Sequence, residues 1–202
     1  MIKFQGKLPR RCIIAFSGGA DSVAAADFLM NGKREVSLAF FHHGTETSDQ
    51  AIKFVQRFAE NRNVELHIGR LLTSKPADLS PEEFWRNARR AFFDKFDCPV
   101  LTAHHLDDVV ETWIFTSLHG EGRLIPYSSG NVVHPFLLTE KQEFISWCQR
   151  RDLEWMEDLS NRDVRFMRNR IRHNIVPEAF MVNPGLHKTM RKKLIHQFSM
   201  LP

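Results

Sequence analysis

The chain has 202 residues, 43% hydrophobic and 26% charged, with a net charge of +4. That balance describes one soluble-type core with room for a small appendage and excludes fibrous or intrinsically disordered chains. No apolar run approaches the roughly 20 residues of a membrane span. The opening MIKFQGKLPRR has no secretory pattern. Cys12, Cys98 and Cys148 form no C-x-x-C pair, so no membrane, disulfide framework or zinc knuckle is expected and a reducing, cytoplasmic setting is.

In chain order, residues 11–16 (RCIIAF) form the first short apolar, β-prone run. A helix is expected over 22–30, stopped by Asn31-Gly32. Residues 35–41 (EVSLAFF) predict a second strand. His42 and His43 follow it, placed to touch a base, bind a metal or cap the sheet. In 48–62, Ile52, Val55 and Phe58 or Ala59 recur at helical steps. Residues 64–68 predict a strand. Residues 81–96 predict a helix with Ser80 as cap, Pro81 at its first position and Glu83 completing a capping box. Residues 99–103 predict a fourth strand, and a helix follows from Leu106 to about Leu118.

Strand alternating with helix implies an α/β fold: a Rossmann-like, doubly wound parallel sheet. Such sheets take ligands at the carboxyl ends of their strands. The segments after 11–16 and 99–103 should therefore face the ligand. After Gly120, GEGRLIPYSSGNVVHP reads as an irregular excursion. Thr139-x-x-Gln142 predicts a capped helix to about Arg151, and Ser160-x-x-Asp163 another that ends before Pro177. The expected division is a nucleotide-binding domain over 1–135 and a small basic helical extension over 136–202. Residues 1–140 carry 16 Lys+Arg against 17 Asp+Glu, whereas 141–202 carry 12 against 7. The tail is thus the part that either touches a polyanion or presents a solvated basic face.

The stretch Ser17-Gly18-Gly19-Ala20-Asp21-Ser22 joins the first strand to its helix. Glycines let backbone approach an anion closely, and free N–H groups at a helix start point at it. Ser17 and Ser22 add hydroxyls, so the loop reads as a phosphate cradle. G-x-x-x-x-G-K-[ST] and G-x-G-x-x-G are both absent, which excludes a Walker-type ATPase and disfavours dinucleotide binding. Asp21 beside phosphates would repel them unless a divalent cation lay between, which suggests Mg²⁺ with Asp21 as its ligand.

In HHLDDVVET, His104 and Asp107, then Asp107 and Glu111, are spaced for one helix face, with Asp108 beside them. Acids so placed either form a solvated acidic face or, if buried, need a metal, a cationic substrate or an arginine to answer them. Arg86 and Arg89 could clamp a phosphate, or pair with Glu82 and Asp94 at the surface. In RFMRNRIR, Arg165, Arg168 and Arg172 share a face that suits an RNA backbone, a leaving pyrophosphate or solvent alone.

S-G-G-x-D-S after an apolar strand resembles the signature of the N-type ATP pyrophosphatases, the PP-loop enzymes. Four further segments are similar to those of the tRNA(Ile)-lysidine synthetases. These are AHHLDDVVET, with His104, Asp107, Asp108, Glu111 and Thr112; EEFWRNARR, with Glu82, Arg86 and Arg89; LHGEGRL; and EDLSNRDVRFMRNRIRHNIVP. The resemblance implies an ATP- and Mg²⁺-dependent ligase that adenylates the wobble cytidine of a tRNA, by analogy tRNA(Ile) with anticodon CAU. It then joins lysine or another amine. ATP would contact Ser17, Gly18, Gly19, Asp21, Ser22, Arg86 and Arg89. Catalysis would involve Asp21, His104, Asp107, Asp108, Glu111 and Arg168. The tRNA would meet Arg165, Arg168, Asn169 and Arg172. Glu46, His119 and His134 stand where the family carries arginine, which bears on the RNA and the amine more than on ATP. The chain is expected to be a short form without the C-terminal tRNA-gripping domains, for which a homodimer could substitute. The alternatives are a PP-loop enzyme with another acceptor or tRNA, and an inactive ATP- and tRNA-binding module.

Overall fold

The computed structural model describes residues 1–73, 75–76, 78–157 and 167–200, with the side chain of Glu82 left aside. Strands β1 (Arg11–Ala15), β2 (Glu35–His42), β3 (Leu66–Arg70), β4 (Val100–Leu101), β5 (Ser128–Ser129) and β6 (Val132–Val133) form one sheet. Its order is β3-β2-β1-β4-β6-β5. All neighbours run parallel except β5 and β6. The strand order reverses at β1, so the crevice beyond the ends of β1 and β4 is the topological switch point.

Alternation along β1 divides the core. Cys12 and Ile14 face helices α1 (Ala20–Asn31), α2 (Glu46–Arg62) and α5 (Lys141–Arg150), packing with Val23, Leu29, Val55 and Phe144. Ile13 points the other way, to Phe93 of α3 (Pro81–Phe93). A third cluster joins Leu106, Val109, Val110 and Ile114 of α4 (Leu106–Leu118) to Leu186, Met190 and Leu194 of α8 (Leu186–Ser199). Side chains buried this way each contribute on the order of 2 kcal/mol. Asp27 is fully buried and takes Arg62 at 2.7 Å, Arg151 at 2.6 Å and Trp147 Nε1 at 3.0 Å, tying α1, α2 and α5 together.

Local chemistry sets the helix ends. Thr45 Oγ1 accepts from Ser48 N at the start of α2, and Ser80 Oγ from Glu83 N at the start of α3. Asn63 closes α2 in the left-handed region at φ 49°.

Three expectations are corrected. The excursion after Gly120 contains the β5–β6 hairpin, and β6 extends the sheet beyond β4; two-residue strands carry no periodicity to read. Thr139 does not cap α5. Its hydroxyl accepts from Lys3 N at 2.9 Å and donates to Lys3 O at 2.5 Å, and the helix starts two residues later. The last basic helix does not stop before Pro177. After α6 (Met167–Arg170) the backbone widens into a π turn over 171–175 and continues as α7 (Val176–Val182). The wider turn accommodates a proline with no N–H to donate and a ring that crowds the preceding turn. The start at Ser160-x-x-Asp163 lies outside the described residues.

Candidate functional site

Two loops meet at the switch point. After β1, Gly18 has φ +86°, and a Cβ there would lie 3.0 Å from Phe54. Ser22 is buried; its hydroxyl donates to Gly19 O at 2.9 Å and accepts from Ser17 N at 3.3 Å. Ser22 thus braces the loop from within, and Ser17 is exposed. Met156 N donates to Gly18 O at 2.8 Å. Gly19 opens α1 with no side-chain cap. The first-turn N–H groups therefore remain available to an anion. An open cleft of about 680 Å³, lined in part by Lys53, Phe54, Arg57, Trp155 and Met156, adjoins the loop.

Asp21 stands at the join. Its Oδ2 lies 3.4 Å from His105 Nε2, and its Oδ1 is buried with no hydrogen-bond partner among the described residues. His105 occupies the N-cap of α4, where His105 N donates to Asp108 Oδ2 at 2.9 Å and the ring faces Asp108 N at 3.3 Å. Three carboxylates surround this ring: Asp21 at 3.4 Å, Asp108 at 3.5 Å and Asp107 at 3.6 Å. A neutral ring accepts the Asp108 N–H; a protonated ring gives that bond up and gains the acids. Burial opposes the charge, but Asp108, Asp21 and Asp107 outweigh it and raise the His105 pKa to about 9. His105 is a cation at neutral pH.

The remaining acids are also answered. Asp107 accepts from Lys141 N at 2.8 Å and lies 3.3 Å from His187 Nε2 on α8. Burial pushes its carboxyl up, but His187, Lys141 N–H and His105 together hold it at about 2. Arg172 grips Glu111 with two bonds of 2.6 and 2.9 Å and reaches Asp108 at 3.6 Å.

His104 is not on the acid face. The helix begins at Leu106, so His104 precedes it and turns to Thr102 Oγ1 at 2.8 Å and His134 Nδ1 at 3.1 Å. Burial keeps His104 neutral by lowering its pKa and takes His134 to about 3. The ring that joins the acids to the loop is its neighbour, His105. Of the two adjacent histidines, only the N-cap geometry identifies it. His187 was missed as well, because α8 is brought to α4 by packing alone.

Arg86 and Arg89 on α3 are exposed and make no ion pair, with Asp94 or otherwise, among the described residues. Arg89 is exposed as a residue, yet surrounding protein partly desolvates its guanidinium, and this, then the charges of Arg168 and Arg86, lowers its pKa. The charge of Arg168 on α6 is thus felt at Arg89, whereas Arg172 one turn on pairs with the acids. Asn169 is buried beside them. Arg165 lies outside the described residues. His42 donates to Asp49 Oδ1 at 2.9 Å and accepts from Gly44 N at 3.1 Å, which makes it a brace of the β2 end. His43 lies between Phe41 and Trp85, and burial, Arg89 and His42 lower its pKa to about 4. Glu46 opens α2, and His119 Nδ1 donates to Phe115 O at 2.7 Å.

For a divalent cation, Asp21 Oδ1 is the fitting ligand, a buried anionic oxygen with no hydrogen-bond partner among the described residues. Among the described residues no group of three or more His, Cys, Asp or Glu side chains could enclose a metal. One carboxylate with phosphates and water as the other ligands is the arrangement Mg²⁺ commonly takes. No described helix is long and apolar enough to cross a membrane.

The PP-loop domain family model matches residues 2–179. The tRNA(Ile)-lysidine synthase of Geobacter sulfurreducens is 36% identical, over 87% of this chain and 41% of that protein. That of Exiguobacterium sibiricum is 28% identical, over 91% of this chain and 47% of its own length. The chain thus spans less than half of these curated relatives. The NH3-dependent NAD synthetase of Campylobacter jejuni, solved in complex with nitrate, superposes with a TM-score of 0.52 at 12% identity, covering 97% of this chain and 89% of that one. That likeness is one of fold, the Rossmann-like α/β sheet described above.

Proposed function

The chain belongs to the PP-loop domain family, and on that premise we propose that it is an ATP-dependent ligase that adenylates a tRNA cytidine and replaces the AMP with an amine, lysine by analogy with its relatives. One observation carries the reading. Asp21 of the phosphate-cradling loop and the acids of α4 meet through His105, 3.4 Å from Asp21. The anion-binding loop and the cation-attracting cluster are therefore a single site. The cleft beside the loop has the volume of a small-molecule site.

In this mechanism the first-turn N–H groups of α1 and the glycines receive the ATP phosphates. Arg86, Arg89 and Arg168 face the charge that develops as pyrophosphate separates. Asp21 Oδ1 would hold Mg²⁺, which when bound neutralises phosphate oxygens. The cytidine O2 attacks the α-phosphorus and the bond to pyrophosphate breaks. The acids Asp107, Asp108 and Glu111 attract the ammonium of the second substrate. Its nitrogen, once deprotonated, attacks C2 of the base and the C–O bond to AMP breaks. A homodimer and a cytoplasmic setting belong to the same proposal.

The test is mass spectrometry of nucleosides from bulk tRNA incubated with the protein, Mg²⁺, ATP and lysine. The expected product has the mass of cytidine plus lysine minus water. Pyrophosphate released in a tRNA-dependent way without that product would keep the adenylation and change the amine. No pyrophosphate from competent tRNA would overturn the reading in favour of an ATP- and tRNA-binding module.

A further inference from the structure

An amine that is to attack carbon must first lose a proton, because a lysine ammonium has an ordinary pKa of about 10.4 and is protonated near neutrality. None of the acids of α4 is a final home for that proton. Asp107 is held at about 2 and Glu111 is gripped by Arg172. The proton needs another destination.

His187 offers one. It lies on α8, beyond the stretch that matches the family model. Its Nε2 is buried, has no hydrogen-bond partner among the described residues and lies 3.3 Å from Asp107 Oδ1. On its other side Nδ1 lies 3.7 Å from Glu140 Oε2, and Glu140 is 36% exposed. Arg191 holds that carboxylate and also donates to Leu138 O at 3.3 Å. From α7, Phe180 packs edge-on against the ring at 4.7 Å. Among the described residues, the charged groups around the imidazole are thus Asp107 from α4, Glu140 ahead of α5 and, through Glu140, Arg191 of α8. With the ring proton assigned to Nδ1, toward Glu140, a bare Nε2 lone pair faces a carboxylate oxygen. That arrangement is relieved when a proton lies between them.

We propose that His187 is a positioning residue for the acceptor amine, acting through Asp107: it orients that carboxylate and receives from it the proton the ammonium sheds. This rests on the amine-acceptor reading above. An ammonium N–H bond breaks and its electron pair stays on nitrogen. The proton passes to Asp107 and on to His187 Nε2. The resulting imidazolium lies between two carboxylates, and Glu140 returns the proton to solvent. The nitrogen forms its bond to C2 of the adenylated cytidine as AMP leaves with the C–O electrons. The contribution of His187 to the link is also visible in the low pKa of Asp107, of which it is the leading favourable cause.

The test separates the two half-reactions. In His187→Gln, the ratio of amine transfer to pyrophosphate release is expected to fall about tenfold at pH 7. Its rise with pH should move toward the range of the free amine. In His187→Ala, added imidazole should restore transfer. A transfer ratio and pH profile matching the wild type, or no rescue by imidazole, would overturn the proposal. If the wild-type protein itself transfers no amine, the acceptor reading has failed, and carbon-13 NMR of the Asp107 carboxyl still decides the link. Its midpoint, near about 2 in the wild type, should rise in His187→Gln; an unmoved midpoint overturns the coupling.

Discussion

The two sides of the crevice hold their charges differently. On the α4 side each acid is answered from within the protein: Asp107 by Lys141 N–H and His187, Asp108 by His105 and Glu111 by Arg172. On the α3 side Arg86 and Arg89 ion-pair with no described residue, and like charges crowd Arg89. Paired groups are positioned in advance and respond to mutation as structure. Cations with no partner among the described residues add little to stability, and in the proposed mechanism their partner arrives with the substrate. Asp21 belongs to both sides, with one oxygen facing His105 and the other without a partner among the described residues.

The largest effect should come from that shared residue. Asp21→Ala removes the proposed metal ligand at the phosphate loop, and tRNA-dependent pyrophosphate release should fall by about 10³-fold. A continuous pyrophosphate assay reads it. Normal release would remove the loop from the mechanism.

The next two variants set the sides against each other. Arg172→Ala leaves Glu111 buried with no cation, so unfolding free energy should drop by about 3 kcal/mol in urea titration. A wild-type midpoint would mean that the acid side is not built as described. Arg89→Ala should do the reverse. Its denaturation midpoint should hold or rise slightly as like charges are relieved, while KM for ATP rises about 30-fold with the loss of one charged contact. A KM equal to wild type would show that the α3 cations serve something other than the phosphates.

What the sequence made legible follows the same division. Strands rich in Ile, Val and Phe between helical spacings were readable because a buried parallel sheet leaves long apolar runs. The loop at Ser17–Ser22 was readable because its glycines, serines and acid adjoin one another. The acid side was readable only in part. His104 and His105 are chemically identical, and which one meets Asp21 depends on one residue's place at a helix cap. His187 joins Asp107 from 80 residues away, drawn there by Leu186, Met190 and Leu194 packing on α4. No local pattern encodes that contact. The same limit hid β6, whose two residues are a strand because β4 and β5 lie on either side of them.

The smallest effect sharpens the comparison by pH. His105 is raised from an ordinary 6.5 to about 9. A group whose folded pKa lies above its unfolded one binds more protons when folded, so stability declines as pH rises between the two values. Its contribution is complete below pH 6.5 and is lost as pH passes 9. Measured without divalent metal, the wild-type protein should lose about 2 kcal/mol over that interval. His105→Gln should be less stable at pH 6 yet nearly level from there to pH 9. The α3 side supplies the control: Arg89→Ala removes a cation from the same crevice but should keep the wild-type slope, since arginine does not titrate in this range. If His105→Gln kept that slope and Arg89→Ala flattened it, the cation that holds the acids together would have to be sought on α3 instead of at the cap of α4.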